Sequence, residues 1–277
     1  MFFSLLLAGN LFFSDFLSLA PSYHASPTQY HAWKRERKNV IPRQKPFVEL
    51  KAPWDGHFSA KNFSLRGTDS LQLQNIKHDL KKALLSLPFQ HTEKLHNLEI
   101  RNQSHLSRGM ANSKKLILHT RSIADSDELI SVFIHEMGHI VDLGYLRSIN
   151  GGKTEFQDGD IPIFEDDPSV YFYRLSWLSA KEKKSSAHRE DFVSGYAMEN
   201  CFEDFAESYL MYRLHGEKFR HLMKESDLLT QKYEFLKTEV FDGQEFQTNK
   251  LNLSDFDKKF WDATLLNIDS ENLIGKQ

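Results

Sequence analysis

Twelve consecutive residues, Ser131-Val-Phe-Ile-His135-Glu136-Met137-Gly138-His139-Ile-Val-Asp142, constrain this chain more than any other stretch. Leu129, Val132, Phe133, Met137 and Ile140 recur at intervals of three or four, the spacing of a helix with one apolar face. Upstream, Asp125 and Glu128 stand at capping-box spacing among acidic residues suited to a helix N-terminus, and Gly144 can end the helix. On such a helix His135 and His139 are separated by roughly 40° around the axis and about 6 Å along it, so both imidazoles reach one space. H-E-x-x-H in this setting is a zinc-site pattern, with two ring nitrogens on the ion and the carboxylate between them as a general base. A plainer reading of the same residues is a half-buried polar patch against a neighbouring helix.

A hydrolytic zinc site needs a third protein ligand and one position left open. The second stretch able to supply it is Tyr196-Ala-Met-Glu199-Asn-Cys-Phe-Glu203-Asp204-Phe205-Ala206-Glu207-Ser-Tyr209-Leu210. Phe202, Phe205, Ala206 and Tyr209 form an apolar helical stripe closed by Gly216, and Glu203 and Glu207 sit four apart beside it. Carboxylates near a core face must be paired, hydrogen-bonded or metal-bound, because burial otherwise drives them to protonate. Glu199 is a second acidic candidate one turn earlier. Glu207 also has an ordinary reading, a helix-face carboxylate paired with Arg213 or a lysine, and Asp142 reads as structural.

Together the two stretches resemble the anthrax-lethal-factor-like zinc peptidases, a branch of the gluzincins. His135-Glu-Met-Gly-His-Ile-Val-Asp142 follows that family's H-E-F-G-H-x-V-D, and Ser194-Gly-Tyr196 through Glu203-Asp-Phe-Ala-Glu207 follows its Y-G-x-x-N-x-x-E-F-F-A-E. Asp204 stands where the family often has an aromatic residue, and the interval between the motifs is long enough for an insertion. The resemblance implies one zinc ion held by His135, His139 and Glu203, with Glu136 as base. It further implies that Tyr196 donates to the developing oxyanion and that Glu207 accepts a hydrogen bond from a ligand histidine. The implied fold is α+β and zincin-like: a small mixed β-sheet lobe, a helical C-terminal lobe, and the active-site helix between them.

Around these motifs, 277 residues at 40% hydrophobic composition can bury one sizeable core. A net charge of −3 gives no basic footprint for nucleic acid, and the single cysteine, Cys201, rules out an internal disulfide and reads as a small core residue. Residues 1–25 are the most apolar stretch and read as a signal peptide or short membrane anchor, though no basic residue precedes them and Asp15 interrupts them. Residues 26–60 read as a linker, 61–242 as the catalytic domain and 243–277 as a polar tail. Within the domain, Leu73 to Leu87 have helical spacing, and Leu98–Arg101 and Lys115–Thr120 read as strands. The strand before a zincin's metal helix commonly forms the sheet edge, so Leu116, Ile117, Leu118 and His119 are the expected peptide-docking edge. Residues 151–168 read as an acidic loop whose spacing is not that of an EF-hand, followed by an aromatic run from Val170 to Leu178.

These readings converge on a zinc-dependent endopeptidase acting on a protein or peptide substrate. It is expected to be monomeric and secreted or membrane-anchored, with membrane association through the N-terminal segment. The competing class is a non-catalytic envelope-associated module that keeps the zincin scaffold for binding. Such a module has no need of a general base.

Overall fold

Leu98, Ile100, Leu116 and Leu118 alternate along two short runs, and in extended chain that alternation puts them on a common face. The computed structural model describes residues 63–66, 70–246, 260–268, 270 and 273. The N-terminal segment 1–25 and the linker 26–60 lie outside the described residues. Strand β1 (Phe63–Arg66) leads to helix α1 (Ser70–Leu85), a single turn α2 (Phe89–Thr92), and strands β2 (Asn97–Arg101), β3 (Gly109–Ala111) and β4 (Lys115–His119). The metal-motif helix α3 (Ser126–Ile140) follows, then strands β5 (Lys153–Asp158) and β6 (Ile161–Phe164). Four helices complete the described fold: α4 (Ser169–Ser176), α5 (Cys201–Leu214), α6 (Gly216–Leu222) and α7 (Asp227–Phe235). A four-stranded mixed sheet and a two-stranded hairpin share the chain with helices rather than alternating with them in regular parallel units, so the class is α+β.

The sheet order is β1-β2-β4-β3, with β1, β2 and β4 parallel and β3 antiparallel to β4. This corrects the expectation for Leu116–His119. That strand is interior, flanked on both sides, and Leu116, Leu118 and His119 are buried. The reason is a tight turn at Asn112, whose Oδ1 accepts the Lys114 and Lys115 N–H groups at 3.0 and 2.9 Å. The turn folds Gly109–Ala111 back onto Leu116–Leu118, and the short strand takes the edge.

Residues 151–168 are a second correction, since most of them pair as a β-hairpin, β5 against β6, with Gly159 in the left-handed region (φ 57°) at its turn. Two of the hairpin's acidic side chains, Glu155 and Glu165, accept hydrogen bonds from Arg174 on α4.

Helix α3 is buried without interruption from Leu129 to Ile140, so it runs through the core rather than along the surface. It packs on β3, β4, α1 and α5. Its start follows the capping logic: Asp125 accepts the Glu128 N–H at 2.9 Å, while the Glu128 carboxylate reaches back to Ala124 N–H at 2.6 Å. The helix does not stop at Gly144; it loosens into one π turn over Val141–Tyr145. The aromatic run after the hairpin is core, with Phe172, Tyr173 and Trp177 buried, and Cys201 is buried too. Among the described residues no helix is long and apolar enough to cross a membrane.

Candidate metal centre

The two motif helices meet through their smallest residues. A Cβ placed on Gly138 would lie 2.8 Å from the Ala206 Cα, so α3 and α5 touch backbone to backbone at that point. Gly138 directly precedes His139, and Ala206 lies between Glu203 and Glu207. Close approach of the helices is therefore what brings the second pair of side chains within reach of the first. Helix α5 begins where it must for this purpose, because Asn200 caps it by accepting the Phe202 and Glu203 N–H groups, each at 3.0 Å.

The His135 Nε2 lies 3.1 Å and the His139 Nε2 3.4 Å from the Glu203 Oε2. One donor atom from each of the three residues falls within 4.8 Å of the others. A tetrahedral ion with bonds of about 2.0–2.1 Å holds its ligand atoms about 3.3 Å apart, and the two separations to Glu203 are of that size, so the group could hold a metal ion. Among the described residues this is the group of three metal-type donors; Glu199 is exposed and stands outside it.

The electrostatics point the same way. Burial favours neutral forms, yet hydrogen bonds and charge from Glu203 and Glu207 raise His135 well above the ordinary histidine value. His139 is also raised: burial opposes the shift, and the Glu203 charge reverses it. Glu203 is partly buried, which opposes ionisation, but His139 and His135 hold its carboxyl well below the usual range. Buried anionic charge thus draws positive charge into one small space, where protons and a metal cation compete for the same atoms.

Glu207, fully buried, turns one oxygen to the His135 Nδ1 at 2.9 Å. With Nδ1–H donating to that oxygen, the other ring nitrogen, Nε2, faces Glu203, and loss of its proton gives the arrangement expected of an oriented metal ligand. The other Glu207 oxygen accepts the Ser194 hydroxyl at 2.5 Å. Arg213, a partner considered for Glu207 on sequence alone, instead donates to the Ser86 and Leu273 carbonyls.

Glu136 is buried beside this group, and burial raises its pKa despite the histidines' opposing pull. Its carboxylate occupies the space a side chain at Gly109 would fill: a Cβ there would come within 2.5 Å of Glu136 Oε1. Gly109→Ala is therefore expected to displace the carboxylate and, if Glu136 is the base of a metal hydrolase, to lower turnover by about 10²-fold while leaving metal content unchanged. Steady-state rates and metal analysis of the purified variant check this.

Tyr196 sits in a single 3₁₀ turn, Tyr196–Met198, with its ring centroid 5.9 Å from that of His135. Burial, reinforced by the Glu203 and Glu136 charges, raises its phenol, so the hydroxyl remains a donor. Two other sequence candidates are structural. Asp142 accepts a 2.6 Å bond from the Tyr173 hydroxyl, and burial pushes it up to about 7. His119 is buried in β4, with Nδ1 2.9 Å from the Ser107 carbonyl.

Three contributors escaped the sequence reading. Arg108, at the entry to β3, binds both Glu128 and Asp262. Ser194 opens the second family-like stretch but has no role assigned by it, and the residues around Trp261 fall in the stretch read as a polar tail. The Arg108 signal was weak, a lone arginine before a glycine, and the tail contacts have no periodicity by which to find them.

Comparison of the chain with protein-family models, curated proteins and solved structures returned no match.

Proposed function

We propose that this protein is a zinc-dependent endopeptidase of the lethal-factor-like kind. The observation that carries the reading is that His135 Nε2 and His139 Nε2 both approach Glu203 Oε2, at 3.1 and 3.4 Å, with one donor atom from each of the three residues within 4.8 Å of the others. A bound zinc ion supplies Lewis acidity and lowers the pKa of a water molecule toward neutrality.

The chain's own residues do the rest. Glu136, with its raised pKa, accepts the proton from the attacking water and returns it to the leaving amine. Tyr196 keeps its proton and donates a hydrogen bond to the oxygen on which charge develops. Glu207 keeps the His135 ring fixed through Nδ1. Among the described residues β3 is the outer strand of the sheet, immediately beside Glu136, and is the strand on which extended substrate would pair. The apolar segment 1–25 belongs to the same proposal, as the export signal or anchor of a secreted or membrane-attached enzyme.

A buried carboxylate with a raised pKa, fitted against a glycine, favours catalysis over a binding-only scaffold, which has no use for a poised base. The test is hydrolysis of a mixed peptide library. Cleavage that stops with a zinc chelator and returns with added zinc supports the reading, and a purified, zinc-loaded protein that cuts nothing in the library counts against it.

A further inference from the structure

Phe260–Leu266 packs onto the metal centre through a series of directed bonds. The Phe260 carbonyl accepts the Gly195 N–H at 3.2 Å and Arg189 Nη2 at 3.1 Å, and the Trp261 carbonyl accepts the Tyr196 N–H at 2.6 Å. The Trp261 ring lies on Gly195, where any Cβ would collide with it. Asp262 binds Arg108 and caps the short turn after it by accepting the Thr264 N–H at 2.8 Å. The Ala263 N–H then donates to Glu207 Oε2 at 2.9 Å, on the carboxylate whose other oxygen holds His135.

We propose that Phe260–Ala263 is a positioning strap of the metal centre, with the Ala263 N–H as its key contact. The proposal rests on the zinc reading above. A buried carboxylate can rotate unless both oxygens are held, and Oε2 has two donors, Ser194 Oγ and Ala263 N–H. Together they keep Oε1 on the His135 Nδ1, which sets the direction of the ring and the strength of its other nitrogen as a ligand. On the same strap, the Trp261 carbonyl fixes the backbone of Tyr196, and Asp262 ties the segment to Arg108, next to the glycine that accommodates Glu136. A covering tail would have no reason to place a main-chain donor on the one carboxylate that orients a ligand.

Ala263→Pro in the full-length chain isolates the key contact. Ala263 opens a one-turn 3₁₀ helix, where proline is tolerated, and Asp262 before it is extended (φ −134°, ψ 122°), as a residue preceding proline should be. The substitution removes the N–H with little conflict in the backbone. Zinc affinity, measured by competition with a chromophoric chelator, is expected to weaken by about 10-fold or more. A Phe219→Leu chain, weakened in the core away from the centre, should keep wild-type affinity, so that general loss of stability is separated from loss of positioning. Should the proline chain not fold, Asp262→Ala, which cuts the Arg108 anchor and the cap, is read the same way with a several-fold loss expected. Wild-type zinc affinity in the variant that folds overturns the strap alone, because the wild-type chain has then bound zinc. A wild-type chain that binds no zinc overturns both the strap and the reading beneath it.

Discussion

On the proposed peptidase reading, replacing Glu136 with glutamine is expected to lower peptide hydrolysis by about 10³-fold while zinc stays bound. The amide keeps the size and shape of the carboxylate, so the pocket against Gly109 remains filled and His135, His139 and Glu203 are untouched. What it lacks is the ability to accept a proton from water and pass it on, a contribution typically of 10²–10⁴-fold. Burial raises Glu136, so the same reading gives the wild-type pH–rate profile an acid limb set by a carboxylate titrating above the ordinary glutamate value. Activity falls as pH drops through that value, because the protonated carboxyl cannot act as a base. The glutamine variant's residual rate should lose this particular limb. Hydrolysis at the wild-type rate would remove Glu136 from the chemistry and leave it as a packing residue.

The largest expected effect on stability lies one residue beyond the third ligand. Asp204 and Lys232 are both fully buried, with the ammonium 2.7 and 3.0 Å from the two carboxylate oxygens. Lys232 also donates to the Asp191 carbonyl at 2.8 Å and lies 4.1 Å from the Phe192 ring centroid, and the Trp177 N–H donates to Asp204 at 2.9 Å. The pair fastens α7 and the 189–192 turn to the start of α5. Burial pushes Asp204 up and Lys232 down, against their mutual attraction.

Lys232→Met keeps the apolar stem but strands a buried carboxylate, and should cost about 3–5 kcal/mol in denaturant unfolding. The sign with pH follows from Asp204. Without the ammonium its folded pKa rises further above the unfolded aspartate value, so the folded state holds a proton that the unfolded state releases. The cost is then least near pH 4, grows as pH rises, and levels off above the folded pKa. Adding Asp204→Leu to Lys232→Met should recover much of the loss, since a buried ion pair can often be replaced by apolar packing. A single variant as stable as wild type at pH 7.5 would show that the pair contributes little to holding the lobe together.

The same Asp204 illustrates what was legible in the sequence. It stood out as a departure from the family pattern, but its partner lies 28 positions away on a different helix, and no local rule links an aspartate to one lysine among many. The helices were legible because three-to-four spacing survives burial: α3 and α5 lie where the apolar periodicity of Leu129–Ile140 and Phe202–Tyr209 puts them. The edge expected at Leu116–His119 proved interior because a four-or-five-residue apolar strand has the same pattern whether one or both of its edges are paired. The deciding residue, Asn112, was visible, but the three-residue strand Gly109–Ala111 before it is too short to show alternation.

At the candidate site, the sequence identified His135, His139, Glu203 and Glu207 as residue types at the right spacing, and the fold brings them together. The support around them was hidden for a physical reason. Ala263 acts through its main-chain N–H, Gly109 through the absence of a side chain, and Gly138 by letting two backbones touch. None of these roles depends on side-chain chemistry that a motif can specify.

The central claim, that two separate helices build one zinc site, is tested most directly by the metal content of the purified full-length protein and of a Glu203→Ala variant. The account predicts about one zinc per wild-type chain and little or none in the variant after both are dialysed against a weak chelator. A folded wild-type chain without zinc, or a variant that retains it as firmly as wild type, would contradict it.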